Sequence, residues 1–370
     1  MADVSVTVVG AGVVGLAVAA RLAPRHPDLV LLERRERHGQ ETSSRNSEVV
    51  HAGMYYPSGS LKARLCVEGN HLLHELLERQ GLPHRRLGKL IVAVQPAELA
   101  ELEALWRRGL ANGVPLRMLT GDQARALEPC VPSLAALESP STSVLSAHAL
   151  MDFLLRQARA AGATLQPRAE LVALERVADG YRLELRTPEG NESFTSERVV
   201  NAAGLEADTV AARAGLDVEA AGYRQRFCKG VYFSLPAGRW GLVSRLVYPV
   251  PGQFSLGTHA VLDVGGRLRF GPDVEYLPQR AYDYSVDEGR RASFGAAVRH
   301  LLPTVRDDEL VPDIAGIRPK LQGPGEPFRD FVVAEESARG LPGLVSLVGI
   351  DSPGLTAALA LAREVERLLG

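Results

Sequence analysis

Two runs near the start of the sequence have the continuous apolar pattern of strands that are buried on both faces of a parallel sheet. Residues 6–9 (VTVV) and residues 29–32 (LVLL) show no alternation of apolar and polar positions, which a half-exposed strand would require. Between them, the Ala- and Leu-rich residues 16–22 predict a helix, and Pro24 and Pro27 follow where that helix should end. The pattern therefore predicts a β-α-β unit.

The remaining sequence alternates between helical and strand patterns. Helical spacing of apolar residues predicts helices over residues 60–80, 98–112, 120–127, 147–161 and 292–302, and a last helix ending at Leu369. Strand patterns cover residues 89–94, 169–176, 181–186, 197–201 and 344–348. Residues 225–270 are typical of an antiparallel sheet with turns at Pro249, Pro251, Gly257 and Gly265-Gly266. This order predicts an α/β protein with an α+β part: a Rossmann-like domain and a second domain built on a mostly antiparallel β-sheet.

Three glycines between the first predicted strand and helix have the spacing G-x-G-x-x-G. Gly10 permits a tight turn, Gly12 lets a pyrophosphate approach the backbone, and Gly15 allows close helix packing. The phosphates would lie at the positive N-terminus of the helix. Glu33 ends the second strand, roughly 20 residues after the motif, where a carboxylate accepts from both hydroxyls of an adenosine ribose. The sequence predicts a dinucleotide site and leaves NAD and FAD open.

Composition and charge exclude several other classes of function. The 370 residues are 46% hydrophobic and 23% charged, as in an ordinary globular protein, and the net charge of −2 comes without a long basic block. We therefore expect no nucleic-acid partner and no transmembrane segment, while peripheral membrane contact remains open. Three widely spaced cysteines predict neither disulfides nor a zinc site and favour the cytoplasm. No metal site is predicted, because His71 and His74 have no further ligand cluster.

Two segments after the dinucleotide motif resemble a known family. Residues 46–56 (NSEVVHAGMYY) and 59–69 (GSLKARLCVEG), with the glycine motif, the N-A-A-G sequence at 201–204 and residues 349–356, are similar to the D-amino-acid-oxidase-like FAD-dependent oxidoreductases. Within that family they look like the L-2-hydroxyglutarate dehydrogenase/oxidase branch. The first segment is also similar to flavin-dependent glycerol-3-phosphate dehydrogenases.

The resemblance implies noncovalent FAD. It places the N-A-A-G strand end beside the adenosine, the backbone of Val172 at the adenine, and the last helix N-terminus at the flavin, where its dipole stabilises the reduced ring. Together with the glycine motif, it gives these cofactor-binding residues: Gly10, Gly12, Val14, Gly15, Glu33, Arg34, Ser43, Ser44, Asn46, Ser47, His51, Val172, Ala203, Gly204, Gly349, Asp351, Ser352, Pro353, Gly354, Leu355 and Thr356.

The resemblance also implies the reaction, which is oxidation of a small L-2-hydroxy acid, L-2-hydroxyglutarate first, by hydride transfer to flavin. The alternatives are an amino-acid or amine oxidase, a glycerol-3-phosphate dehydrogenase, and a non-catalytic dinucleotide-binding regulatory module. A base that titrates near neutrality has to take the hydroxyl proton, which makes His51 and His259 the catalytic candidates. His259 lies in Gly257-Thr258-His259, where the branch has G-V-H.

A dicarboxylate requires two cationic anchors in one pocket. Two basic pairs lie in the relevant segments, Lys62 with Arg64 and Arg318 with Lys320, and an arginine can grip a carboxylate with two parallel hydrogen bonds. The predicted substrate-binding residues are Tyr56, Arg64, Tyr248, Arg318 and Lys320. The electron acceptor, oxygen or a quinone, stays open.

The pattern makes the FAD-binding domain discontinuous. We expect residues 1–84, 143–222 and 325–370 to form it, and residues 85–142 and 223–324 to form the substrate-binding domain.

Overall fold

The structure is a computed structural model that describes residues 2–251 and 258–370. The chain divides into two compact units. The first unit comprises Met1–Ser44, Ala147–Phe227 and Arg318–Gly370, and the second comprises Arg45–Ser146 and Cys228–Ile317. Gly257, predicted to lie at a turn, is outside the described residues.

The described residues form the following strands and α-helices. The strands are β1 (Val4–Val9), β2 (Val30–Leu32), β3 (Val49–Val50), β4 (His84–Arg85), β5 (Lys89–Ala93), β6 (Arg117–Thr120), β7 (Ala135–Ser139), β8 (Ser143–Leu145), β9 (Thr164–Gln166), β10 (Glu170–Val177), β11 (Gly180–Thr187), β12 (Gly190–Asn201), β13 (Arg226–Ser234), β14 (Leu246–Pro249), β15 (His259–Leu262), β16 (Leu268–Gly271), β17 (Glu275–Tyr276), β18 (Val311–Lys320), β19 (Val332–Glu336) and β20 (Leu341–Val348). The α-helices are α1 (Val13–Leu22), α2 (Leu61–Gln80), α3 (Leu99–Ala111), α4 (Gly121–Leu127), α5 (Ala147–Ala160), α6 (Ala207–Arg213), α7 (Arg291–Leu301) and α8 (Gly354–Leu369).

The first unit is built on a sheet whose centre is parallel. Strands β20, β12, β1, β2 and β9 lie side by side in that order and run in the same direction. β11 pairs antiparallel with β12, β10 pairs antiparallel with β11, and β19 pairs antiparallel with β20. Val6 and Val8 of β1 are fully buried, as the unbroken apolar pattern predicts. The predicted Rossmann-like architecture is confirmed.

The second unit is built on a mostly antiparallel sheet. Its described strands follow the order β17-β13-β16-β15-β14-β5-β7-β6, with β18 beside β13, and β14 pairs with β5 in parallel. A smaller sheet joins β3, β8 and β4. Helix α2 begins after Ser60, whose side chain accepts from the Ala63 N–H at 3.2 Å, and it ends at Gly81, which adopts a φ of 61°. The strand order of this unit agrees with the mostly antiparallel sheet that was predicted for the second domain.

The predicted domain boundaries differ from the two units in one large segment. Residues 45–84 belong to the second unit, although the sequence placed them with the dinucleotide motif. The physical reason is burial, because Val49 and Met54 pack in the same hydrophobic core as Leu90 and Ile91 of β5. Which unit binds FAD and which binds substrate remains a prediction.

Several strands and one helix were not predicted, among them α6, β18 and β19. Helix α6 and strand β19 are short, and β18 carries Pro312, Gly316 and Pro319, which obscure a strand pattern. Among the described residues, no helix combines the length and the apolar character needed to cross a bilayer.

Candidate functional site

A cleft opens in the first unit where the parallel strands end. It encloses about 820 Å³, including its open mouth. The glycine turn contributes Gly10 and Gly12 to its lining, the end of β2 contributes Glu33 and Arg34, and the loop before β3 contributes Ser43. This is the edge at which nucleotides bind in doubly wound sheets.

The glycine turn leaves no space for side chains. Gly10 has a φ of 103°, and a Cβ there would lie 2.6 Å from the carbonyl oxygen of Ala202. A Cβ on Gly12 would lie 2.9 Å from Ser43 Oγ, and one on Gly15 would clash with the Gly10 carbonyl. The backbone is therefore exposed to a ligand at Gly12, while Gly15 permits the close packing that the motif requires.

Glu33 is held rigidly at the base of the cleft. Its carboxylate accepts from the Ala11 N–H at 3.1 Å and from the Arg35 N–H at 2.8 Å. Burial raises the pKa of Glu33, an effect opposed by those two hydrogen bonds and by the nearby Arg34 guanidinium. The position and chemistry of Glu33 fit recognition of ribose hydroxyls.

Other predicted cofactor residues surround the same cleft. Ser43 Oγ accepts from the Val13 N–H at 2.9 Å, which ties its loop to the start of α1. Ala203 and Gly204 line the cleft after β12. Val172 lies between Leu171 and Ala173, where the β10–β11 register shifts, so the ladder pairing skips the residue predicted to offer its backbone to adenine.

The sequence did not identify several residues of the cleft. They include Gly39, Gln40, Glu41, Glu170, Glu206 and Arg213. They lie in a polar loop, on a strand edge and on a short helix, and no motif marks them. Their only sequence signal is proximity to the residues that were identified.

The C-terminal predicted segment forms a tight turn before α8. Gly349 has a φ of 70°, and a Cβ there would meet Leu321 Cγ at 2.5 Å. The first turn of α8 contains no acidic residue, so its positive end is not neutralised within the helix. Lys320 Nζ donates to Asp351 Oδ2 at 3.1 Å, and Asp351 is buried. This ion pair fixes the turn and engages Lys320, a predicted substrate anchor.

In the second unit, the strand register places a predicted catalytic histidine against a predicted substrate residue. Val247 of β14 pairs with Ala260 of β15, so Tyr248 and His259 are neighbours on one face of the sheet. Their rings stack with centroids 3.6 Å apart and planes 2° apart. Tyr248 is 2% exposed, whereas His259 is half-buried. The stack holds the imidazole in one orientation.

Lys89, which the sequence analysis did not single out, lies beside Tyr248 and forms a polar cluster with Tyr55, Tyr248 and His259. It is fully buried, and its Nζ lies 4.7 Å from the centre of the Tyr55 ring and 4.5 Å from that of Tyr248. Within the described residues, Nζ has no hydrogen-bond partner. Burial lowers the pKa of Lys89 to about 7. The sequence analysis treated Lys89 only as part of a strand. The signal it overlooked was a charged residue at the start of the apolar run 89–93.

The second predicted histidine, His51, lies next to this cluster. Its carbonyl oxygen accepts from Asn70 Nδ2 at 3.0 Å, and the Cys66 thiol lies 3.5 Å from the same oxygen. Burial, reinforced by the charge of Lys89, lowers the pKa of His51 to about 3. Burial also raises the pKa of the Cys66 thiol to about 12. His51 is therefore neutral at physiological pH, and Cys66 is a neutral thiol.

The remaining predicted residues are placed as follows. Tyr56 is half-buried and its carbonyl accepts from Asn112 Nδ2 at 2.9 Å. Arg64 is exposed on α2, whereas Lys62 on the same helix is buried. Arg318 is half-buried on β18. Asn46, in the second unit, accepts from the Glu48 N–H at 2.7 Å through its side chain.

Comparison with known proteins identifies relatives along the whole chain. The family described as FAD dependent oxidoreductase matches residues 5–368. The chain is 38% identical to the mitochondrial L-2-hydroxyglutarate dehydrogenase of Arabidopsis thaliana, in an alignment covering 98% of this chain and 82% of that protein. It is 26% identical to L-2-hydroxyglutarate dehydrogenase of Indibacter alkaliphilus, with 98% of each chain covered.

Solved structures of other oxidoreductases also match this chain over nearly its whole length. The dithionite-reduced L-α-glycerophosphate oxidase of Mycoplasma pneumoniae, which has FAD bound, matches with a TM-score of 0.88 and 26% identity over 99% of this chain and 94% of that one. Glycine oxidase of Geobacillus kaustophilus matches with a TM-score of 0.79 over 100% and 95%. At 24% identity, that second likeness concerns the fold alone.

Proposed function

Because the chain belongs to the FAD-dependent oxidoreductase family, we propose that it oxidises the C2 hydroxyl of a small L-2-hydroxy dicarboxylate, with L-2-hydroxyglutarate as the first candidate. The product is the 2-oxo acid, 2-oxoglutarate. The observation that carries this choice is the 38% identity, over 98% of the chain, to a protein named L-2-hydroxyglutarate dehydrogenase.

The cleft of the first unit supports binding of the adenosine diphosphate end of FAD. Gly10 and Gly12 let the backbone approach the pyrophosphate, the N-terminus of α1 offers it N–H donors, and Glu33 accepts from the ribose hydroxyls. When bound, FAD supplies the acceptor for the C2 hydride. The protein itself has to orient the substrate and take the hydroxyl proton.

The histidines of the second unit support the proton-transfer role. Removing hydride from C2 makes the hydroxyl strongly acidic, so even a weakly basic imidazole can take its proton, provided that the imidazole is neutral beforehand. Burial keeps His51 neutral. His259 is the better candidate base because its ring is half-buried and fixed by Tyr248, so it can reach both a substrate and solvent.

The candidate anchors are not equivalent. Lys320 is paired with the buried Asp351 at 3.1 Å, and removing it from that carboxylate would leave a buried charge without its partner. We therefore assign one substrate carboxylate to Arg318, whose guanidinium can form two parallel hydrogen bonds. Arg64 remains the candidate for the second carboxylate.

The experiment that tests this function is anaerobic mixing of the FAD-loaded protein with L-2-hydroxyglutarate, lactate, glycerol 3-phosphate and 2-amino acids. Bleaching of the flavin absorbance reports the reduction and does not depend on whether oxygen or a quinone is the acceptor. We expect L-2-hydroxyglutarate to reduce the flavin most efficiently. Comparable rates with lactate would rule out a second carboxylate anchor.

Glycerol 3-phosphate is a rival substrate with structural support. The glycerophosphate oxidase of Mycoplasma pneumoniae matches over 99% of this chain at 26% identity. Preferential reduction by glycerol 3-phosphate in the same panel would replace the hydroxy-acid proposal and retain the family.

The cofactor is expected to be noncovalent. The nucleophiles of the predicted segment are poorly suited to a flavin bond, since the Cys66 thiol has a pKa of about 12 and is protonated at neutral pH. Acid precipitation should therefore leave the yellow colour in the supernatant. Colour retained in the pellet would make His51 the first residue to examine.

Replacing Glu33 by glutamine should weaken FAD binding by about tenfold to a hundredfold, as expected for loss of charge-assisted hydrogen bonds. The amide can keep one acceptor but turns an NH₂ group toward an N–H donor of Ala11 or Arg35. Titration of the apoprotein with FAD measures the effect. Glu36→Gln is the matched control because Glu36 is exposed and forms a surface ion pair with Arg168; equal affinities in both variants would contradict the assignment.

The cytoplasm remains our proposal for the location. Its support is that Cys66, Cys130 and Cys228 form no disulfide among the described residues.

A further inference from the structure

The polar cluster of the second unit contains one buried cation without a counter-ion. Lys89, on β5, is 0% exposed. The side chains that face it are Tyr55 from the loop after β3, Cys66 from α2 and Tyr248 from β14. None is a carboxylate. Within the described residues, no acidic group lies within ion-pair distance of Nζ, and no acceptor is in hydrogen-bond range.

Aromatic rings are the cation's main stabilisation. Nζ lies 4.7 Å from the Tyr55 centroid and 4.5 Å from the Tyr248 centroid, distances at which a ring quadrupole attracts an ammonium. Such contacts do not repay the loss of hydration. Cys66 adds no charge, because its pKa of about 12 leaves it protonated. The site thus holds a costly group, which is the pattern of a residue kept for function.

Strand register links Lys89 to one candidate base. Leu246 of β14 pairs with Lys89 in parallel, so Tyr248 lies two residues further along the same face. Tyr248 in turn stacks on His259 at 3.6 Å. A cation at one ring of this stack disfavours a second positive charge on the imidazole, because the Tyr248 ring that both groups contact is buried and screens little.

A second path links Lys89 to the other candidate. Tyr55 follows His51 in the same loop and places its ring over Nζ. Cys66, which faces Lys89, contacts the carbonyl of His51. The Lys89 charge accordingly opposes protonation of His51, in addition to the larger effect of burial.

We propose that Lys89 is a positioning residue whose ammonium keeps the two candidate bases, His51 and His259, neutral and able to accept the substrate proton. Of Lys89, His51 and His259, Lys89 is the residue that takes up a proton most readily. Since the pKa of Lys89 is about 7, about half of the molecules carry the charge at neutral pH, and the charge becomes complete as the pH falls into the range where histidines would otherwise protonate. The kinetic consequence rests on the proposed function, whereas the protonation states do not.

The kinetic experiment compares flavin reduction by saturating L-2-hydroxyglutarate from pH 5 to pH 9 in wild type, Lys89→Met and Lys89→Arg. Loss of a like charge should raise the pKa of the base, so the acid limb of Lys89→Met moves up by about one pH unit and the rate on that limb falls about tenfold. The plateau at high pH should be retained. Lys89→Arg, permanently charged, should keep the acid limb of the wild type.

Lys229→Met is the matched control. Lys229 is also buried in this unit, but its Nζ donates to Asp283 at 2.6 Å. Its removal should leave the acid limb in place. A lower plateau with an unmoved acid limb in Lys89→Met would mean that Lys89 only supports the fold, and it would overturn the proposal.

A measurement without substrate separates this inference from the proposed function. In FAD-loaded protein labelled with ¹³C-histidine, the Cε1 resonances of His51 and His259 report protonation directly and can be assigned from His51→Ala and His259→Phe. At least one should titrate about one pH unit higher in Lys89→Met. Identical titrations in wild type and Lys89→Met refute the proposal, even if L-2-hydroxyglutarate is oxidised. If L-2-hydroxyglutarate fails to reduce the flavin, the histidine titrations still test the proposed effect of Lys89.

Discussion

Replacing His259 by phenylalanine is expected to slow flavin reduction at saturating L-2-hydroxyglutarate by a factor of about 10² to 10⁴, the usual contribution of a positioned general base. Phenylalanine preserves an aromatic ring to stack on Tyr248, which now lies 3.6 Å from the imidazole centroid, but it has no nitrogen to accept a proton. Stopped-flow absorbance under anaerobic conditions measures the rate.

Two comparisons make this result specific. His259→Ala, which also removes the stack, should be at least as slow as His259→Phe. His71→Ala should react at the wild-type rate because His71 is exposed on α2. His51→Ala should have a smaller effect, since His51 has a pKa of about 3 and binds protons weakly. Wild-type reduction rates in both the His51 and His259 variants would exclude a histidine base.

Replacing Arg318 by methionine should lower kcat/KM for L-2-hydroxyglutarate by about tenfold to a hundredfold or more, because charge-assisted hydrogen bonds contribute about 1.5–3 kcal/mol each. Arg318→Lys should recover only part of the loss, since an ammonium lacks the planar fork of the guanidinium. The measurement is steady-state kinetics with a dye acceptor and both L-2-hydroxyglutarate and lactate.

The second substrate identifies the carboxylate that Arg318 binds. Equal losses with both substrates would place Arg318 at the carboxylate next to C2, which lactate shares, and a loss confined to L-2-hydroxyglutarate would place it at the distal one. Arg182→Met is a suitable control because Arg182 is exposed on β11. An unchanged kcat/KM for both acids in Arg318→Met would remove Arg318 from the site.

The sequence was most informative where a local pattern has one structural solution. The spacing of the three glycines around Gly12 has few alternatives, because a Cβ at Gly15 would meet the carbonyl of Gly10 within the same β-turn-α unit. The helix from Leu61 to Gln80 was also predictable, since Ser60 and Gly81 mark its ends. Both features depend on residues close together in the chain.

The sequence was least informative where distant strands bring residues together. Lys89, Tyr248 and His259 lie on three strands, and only the pairing of β14 with both β5 and β15 makes them neighbours. The hydrophobic periodicity of the sequence does not predict which strands pair. The engagement of Lys320 by Asp351 is a similar case, as is the placement of residues 45–84 with the core of the second unit.

The order of the strands and helices in the first unit has a consequence for its synthesis. Helix α1 packs against α8, and Arg21 forms an ion pair with Glu366 at 2.6 Å, although almost the whole sequence separates them. A ribosome therefore releases α1, with apolar Leu16 and Val18, long before the helix that covers it exists. Contacts between such distant segments form slowly, and exposed apolar surface recruits chaperones or aggregates meanwhile. A chain truncated before Gly354 should consequently fail to complete the first unit, rather than merely lose an appendage.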